Sequence, residues 1–498
     1  MHRMRTRRLF STRFSGLVSD TQGAAQFSVT RTRGFLPIDD PLVSLPSPFG
    51  ALESLLSRMP LTLSDGTPGL LAQGKFGDAV LAELPLIDTS DIKDQALLTA
   101  LFRDYTFAAS AYLLEPCDLN MRKSGSYGLG RQILPKQLAV PLASVSEKIG
   151  AKPFMEYAQS YALYNYQKTS PEAPLTFPNL KLIRSFQNSV AETGFILVHV
   201  AMVAYSGHLV SASVKVLDAA AAGDRAAFNR ALGEMIGAMR KINQVMETMW
   251  GRSRSNEYKS FRTFIMGTKN QPMFPNGVLY EGVSETPTFF RGESGANDSI
   301  IPTCDNILCL TQSMPDNPLT SILKDFRSYR PASHNAWLDY TEARAKEVGV
   351  DSYARKDVHS SALLLAALDQ VREFRDRHWR FTKQYILKHS SHPVATGGSP
   401  IVSWLPNQLA VVLDRMTDLY AHISRADLAS SGTIDVFDAR LEGEEFTADA
   451  VSSVAVGDVV QECGERAAVE SRVLAEEVEA LGKIKGREAV QAESRFEQ

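Results

Sequence analysis

Of nine histidines, one sits where it could hold a metal-bearing cofactor. Val371, Phe374, His378, Phe381 and Tyr385 recur three or four residues apart, so on a helix they share one face. An imidazole centred on an apolar face must be hydrogen-bonded, ligated or partly exposed, because burying it without a partner costs ~1–3 kcal/mol. The pattern leaves two readings: a structural histidine, the commoner outcome, or a ligand. Arg375, three residues earlier and close to the same face, adds a cation that could pair with a haem propionate while the imidazole reaches the iron. A lone histidine is the usual way helical haem proteins hold the cofactor. Other metal and cofactor signatures are missing. The sequence contains no Cys-x-x-Cys-His, no His-Glu-x-x-His, no pair of Glu-x-x-His motifs and no glycine-rich phosphate loop. Cys304 and Cys309 are five apart without a second pair, which is poor zinc spacing.

The elements that must position this histidine are helical. Residues 358–387 show the clearest helical periodicity. Residues 91–111, 153–167, 186–217 and 224–250 are also expected to be helices. Alternating apolar and polar runs are scarce, so the fold class is mainly α. Two Pro-rich stretches, 36–48 and 134–141, predict extended connectors. Residues 267–297 and 389–400 predict functional loops. The division expected is a smaller mixed, mostly helical N-terminal domain at 34–185, a large all-helical domain at 186–425, and an acidic C-terminal appendage at 426–498.

The two ends differ from the middle. Residues 1–33 carry seven arginines and a single acid, Asp20, a composition typical of a mitochondrial transit peptide. A disordered basic arm with cytoplasmic placement is the alternative. Residues 431–498 carry sixteen acids and seven bases, with a thin helical stripe of Val459, Cys463, Ala467, Leu474, Val478 and Leu481. The net charge of −3 gives no basic field for nucleic acid. The apolar run 194–205 is too short to span a bilayer and predicts a core helix in a soluble protein. Four scattered cysteines predict free thiols rather than a disulfide framework.

At Phe374-Arg-Asp-Arg-His-Trp-Arg-Phe-Thr-Lys-Gln-Tyr-Ile-Leu387 the sequence resembles the proximal helix of the indoleamine 2,3-dioxygenase family. Four further stretches resemble the family in the same order along the chain. They are Phe261–Gly267 with Asn276–Gly282, then Gly292–Ser299 leading to Cys304 and Asp305, then Pro331–Leu338, and Ala395–Ser399. The resemblance covers about residues 34–410. It implies a small mixed domain and a large helical domain with haem b between them. The implied reaction uses O2 and an electron donor to open the indole C2–C3 bond of L-tryptophan, giving N-formylkynurenine, in a monomer.

Residue by residue, the resemblance makes His378 the iron ligand and Arg375 the propionate partner. Arg262 becomes the arginine that holds the substrate carboxylate. Ser294, Gly295 and Ala296 become a small-residue loop beside the cofactor, and Thr396, with Gly397 and Gly398, a mobile loop near the substrate ammonium. Tyr157, Ser160, Phe195, His199, Tyr258 and Ile265 would form the indole pocket. His199 stands where some members have serine. A neutral imidazole there would accept the indole N–H, as in the related tryptophan 2,3-dioxygenases. Glu257 and Tyr258 replace paired phenylalanines and make the outer pocket more polar. Two rival functions stand: a haem or redox sensor of this family with poor turnover, and a helical interaction protein without cofactor.

Overall fold

The computed structural model describes residues 25–310, 325–388, 395–397, 401–423, 428, 431–441, 444 and 451–496. Most of the arginine-rich leader and of the 389–400 loop, Gly398 included, lie outside the described residues. The chain is 61% helical, as the scarcity of alternating runs implies. Strands among the described residues form three short pairs. β1 (Ile133–Leu134) runs parallel to β4 (Leu279–Tyr280), while β2 (Tyr166–Lys168) with β3 (Leu180–Leu182) and β5 (Thr433–Phe437) with β6 (Val451–Ala455) are antiparallel.

Helix α1 (Gln95–Ser124) starts where the Asp94 carboxylate accepts from Ala96 and Leu97 N–H, a side-chain cap of the free donors at a helix start. It runs well past residue 111, through Pro116. Proline cannot donate to the Tyr112 carbonyl; the Arg131 guanidinium does so instead. The stretch expected to be extended from residue 134 becomes α2 (Lys136–Ile149), with Pro135 as its cap, a position where the missing N–H has no helical partner to lose.

The helix expected over 153–167 does not form. There is one wide turn, Tyr157–Tyr161, followed by β2. Glu156 takes the N–H groups of Ala158 and Gln159, and the Ser160 hydroxyl donates to the Glu156 carbonyl at 2.7 Å. Local side-chain bonds of this kind compete with helix propagation, and pairing with β3 draws residues 166–168 into extended backbone.

The single helix expected over 186–217 is two, α3 (Val190–Val203) and α4 (Ser206–Ala222). Ser189 accepts from Glu192 N–H at 3.1 Å, while the Glu192 carboxylate reaches back to Phe186, Gln187 and Asn188 N–H, a capping box. The break lies where the N-terminal segment crosses: Phe35 N–H donates to Ser206 Oγ at 2.9 Å. Gly34, at φ 59°, approaches so closely that a Cβ would collide with Ser206. Val190–Ala222 is apolar and long enough to cross a membrane, but 78% of that window is buried within the protein, as in a core helix pair.

Helix α5 (Arg225–Glu247), capped by Asp224, packs on α3, α4 and α9. Tyr258–Arg262 (α6), Ile300–Ile307 (α7) and Ala332–Val348 (α8) follow, then α9 (Val358–Thr382), capped by Asp357, and α10 (Ile401–His422). The acidic C-terminal region is an integral layer. β5 lies on α5, and α11 (Val456–Phe496) lies along α9 and α10, burying Val456, Val460, Cys463, Ala467 and Leu474. Val478, expected in the apolar stripe, is exposed. Its charges meet complementary ones on α9. Glu470 pairs with Arg372 at 2.8 Å, Arg466 with Asp369, and Glu477 with Lys383 at 2.6 Å and with Trp379 Nε1 at 2.8 Å. All four cysteines are buried and free.

Candidate functional site

A cleft opens between α3, α5, α9 and the loop after residue 292. Phe195, His199 and Met202 of α3 form one wall, and Phe374, His378, Phe381 and Thr382 of α9 the other. Tyr258, Glu293–Ala296, Thr396, Trp404 and Leu405 close its edges. The space measures about 1120 Å³, a figure that includes its open mouth.

His378 reaches the cleft because α9 is regular through this turn. Its ring is half-buried and hydrogen-bonded to no described residue. Burial, with His199 opposite adding repulsion, pushes it down to about 4. The imidazole is therefore neutral at pH 7, the form that ligates a metal. His199 Nδ1 faces the Phe195 carbonyl at 2.7 Å, so Nδ1 carries the proton and Nε2 is the acceptor. Burial lowers its pKa, partly offset by that carbonyl. Rings brace it: Phe195 at 5.2 Å and Tyr157 at 5.9 Å, both edge-on.

These observations fit haem b. A neutral imidazole with no hydrogen-bond partner among the described residues faces an apolar cleft, and a second imidazole lies opposite. Among the described residues no group of three or more His, Cys, Asp or Glu could hold a bare metal ion. The donor set suits an iron held chiefly by its macrocycle.

The model of the indoleamine 2,3-dioxygenase family matches residues 23–409. The chain belongs to that family. Indoleamine 2,3-dioxygenase 1 of Rattus norvegicus is 27% identical over 301 residues, covering 60% of this chain and 71% of the relative. The 6-hydroxytryptophan 2,3-dioxygenase of Fusarium equiseti is 25% identical over 371 residues, 72% and 84% of the two chains. A myoglobin of Haliotis diversicolor is 24% identical over 371 residues, 74% and 89%. Membership makes this an oxidoreductase family of haem-dependent dioxygenases, and α11 lies wholly beyond the matched residues.

Of the residues singled out in the sequence, Phe195, His199, Tyr258, Ser294, Gly295, Ala296, Thr396 and His378 line the cleft of this indoleamine 2,3-dioxygenase family member. Others stand behind it. Arg262 is 1% exposed and hydrogen-bonded with the Tyr258 hydroxyl. Ile265 is buried, its carbonyl taken by Glu293 N–H at 3.1 Å. Tyr157 backs His199. Ser160 spends its hydroxyl on the Glu156 turn, 2.7 Å to the carbonyl and 2.9 Å from the N–H. Glu257 pairs with Arg254 at the surface.

Arg375 is engaged by the protein's own groups. Its Nη2 meets both Asp305 oxygens at 2.9 and 2.8 Å and its Nη1 donates to the Gln408 carbonyl at 2.8 Å. The guanidinium thus ties α9 to α7 and α10, and it is not in the cleft lining. Three residues is less than a full turn, so Arg375 is rotated off the His378 direction toward a buried carboxylate that the sequence places seventy positions away. Sequence reasoning also missed Glu293, Asp298 and the Met202, Met246 and Met249 wall. Glu293 lay within a quoted motif, but its neighbours are small loop residues with no periodicity to orient it.

Proposed function

We propose that the protein inserts both atoms of O2 across the indole C2–C3 bond of L-tryptophan to give N-formylkynurenine. The observation that carries this reading is the neutral His378 facing His199 across one apolar cleft, in a chain of this family. Haem b, when bound, supplies the activation of O2. His378 is the residue to hold its iron. His199 offers Nε2 to the indole N–H and so orients the ring. Arg262, behind Tyr258 at the cleft edge, is the residue for the substrate carboxylate, since a planar guanidinium makes a two-pronged charge-assisted bond. Ser294, Gly295 and Ala296 leave room for a flat indole, and the methionine and phenylalanine walls exclude water. Holding both partners in register is the protein's main contribution. An electron donor keeps the iron ferrous. The arginine-rich residues 1–33 support a mitochondrial address.

The test is turnover of haem-reconstituted, chemically reduced protein under 18O2, with 6-hydroxytryptophan run in parallel because the Fusarium relative is named for it. N-formylkynurenine carrying two heavy oxygen atoms is the expected product. Reversible O2 binding without any product would favour a second reading, an O2-holding haem protein, which the Haliotis myoglobin supports.

A further inference from the structure

Glu293 is a carboxyl of the cleft that the proposed reaction does not use. Glu293 lines the cleft and is 4% exposed, yet no described residue donates to its carboxylate. Its bonds are made by its main chain: the N–H to the Ile265 carbonyl at 3.1 Å, and the carbonyl to the Thr396 hydroxyl at 2.7 Å. A buried carboxylate without a partner is costly, and among the described residues the cleft lining contains no lysine or arginine to pair with it.

The segments around it are tightly fixed. Gly267 and Gly292 pass so closely that a Cβ on either would sit 2.1–2.2 Å from the other's nitrogen. Gly267 N–H also donates to the Thr396 carbonyl at 3.0 Å. Arg262 lies three residues before Ile265, and Tyr258 both bonds Arg262 and feels the charge of Glu293. Glu293 thus lines the cleft, and the Arg262 guanidinium stands behind Tyr258, which lines it too. An α-amino acid, whose carboxylate and ammonium hang from one carbon, matches that polarity.

We propose that Glu293 binds the α-ammonium of the amino-acid substrate and forms, with Arg262, a two-charge clamp; this rests on the tryptophan reading above and names the residue that reads the amine. Burial and the nearby Glu156 carboxylate push Glu293 up to about 8, so it is mostly protonated at pH 7 in the free protein. The ionisable groups coupled to it or sharing its cleft are Glu156, Tyr157 and Tyr161 from the turn before β2, Tyr258 from α6, His199 from α3, His378 of α9 and Tyr385 just after it, and Asp298 on its own loop. An arriving ammonium favours the carboxylate, so tryptophan binding at pH 7 releases a proton. Indole-3-propionate, which keeps the carboxylate and lacks the amine, releases none.

The test is calorimetric binding of L-tryptophan and of indole-3-propionate to the haem-reconstituted full chain at pH 7, in two buffers of different ionisation enthalpy. The wild type is expected to bind tryptophan ~10- to 100-fold more tightly, the range for one charged hydrogen bond, with close to one proton released. Glu293→Gln is expected to lose most of that preference and the proton release. Two results overturn this assignment alone: a wild type that binds both ligands equally, which needs no variant, and a Glu293→Gln protein that keeps the full preference. A wild type that binds neither ligand overturns the tryptophan reading and the clamp with it.

Discussion

Separating Arg375 from Asp305 tests how the helix bearing His378 is held. Both side chains are 7% exposed and meet through two charge-assisted bonds, with the Gln408 carbonyl as a third contact. Burial raises the Asp305 carboxyl against the opposing pull of Arg375, so the pair gains little over two apolar residues of the same size. Removing one partner is different, because a lone buried charge costs ~3–5 kcal/mol. For a chain of 498 residues 1 kcal/mol is worth about 1 °C, so Asp305→Ala and Arg375→Ala should each lower the Tm of the haem-free protein by about 3–5 °C. Asp305→Leu combined with Arg375→Met should recover more than half of the loss, because no charge then remains buried. Circular dichroism melts of the haem-free variants give the numbers. An Arg375→Ala protein that melts within about 1 °C of wild type would show that this pair does not hold α9 in place.

His378→Ala should leave the reconstituted protein without a Soret band while its far-ultraviolet spectrum is unchanged; a band of wild-type intensity would remove His378 as the ligand. Ending the chain before residue 431 uncovers the back of α9 and removes the burial of Val456, Val460 and Leu474, together worth ~5–9 kcal/mol. The truncated protein should melt ~5–9 °C lower, and an unchanged melt would mean α11 is dispensable. His334 is 1% exposed, flanked by Phe27 and Phe35, and pushed down to about 3 by burial and by Arg330. A base with a depressed folded pKa stays neutral while the unfolded chain takes up a proton, so its contribution falls as pH drops from ~6.5 toward 3. The stability of wild type relative to His334→Phe should therefore decline by a few kcal/mol over that window, on the order of 1.4 kcal/mol per pH unit; a difference independent of pH would show that His334 is not held neutral.

The helices were legible where local chemistry and periodicity agree. Asp357 before α9, Asp224 before α5 and Asp94 before α1 are caps written in the sequence. The face carrying Phe374, His378 and Phe381 follows from spacing alone. The Ser189–Glu192 capping box was equally visible and would have moved the start of α3 to its true place. The turn at Tyr157 was not legible, because a helical spacing of apolar residues cannot announce that Glu156 will take the turn's N–H groups. Nor was the passage of α1 through Pro116, which depends on Arg131 reaching the orphaned Tyr112 carbonyl from nineteen residues further on.

The sequence by itself determined a mainly helical chain, a histidine on an apolar helix face, and motifs ordered as in one family, because helix periodicity, capping and short motifs act within a few residues. Tertiary structure alone decided which charges meet. Arg375 is taken by Asp305 and the acidic tail by the basic back of α9, whereas Glu293 faces the cleft with no donor from the described chain. Coulombic and hydrogen-bond partners are selected by distance in space and by burial, and neither is a function of separation along the chain.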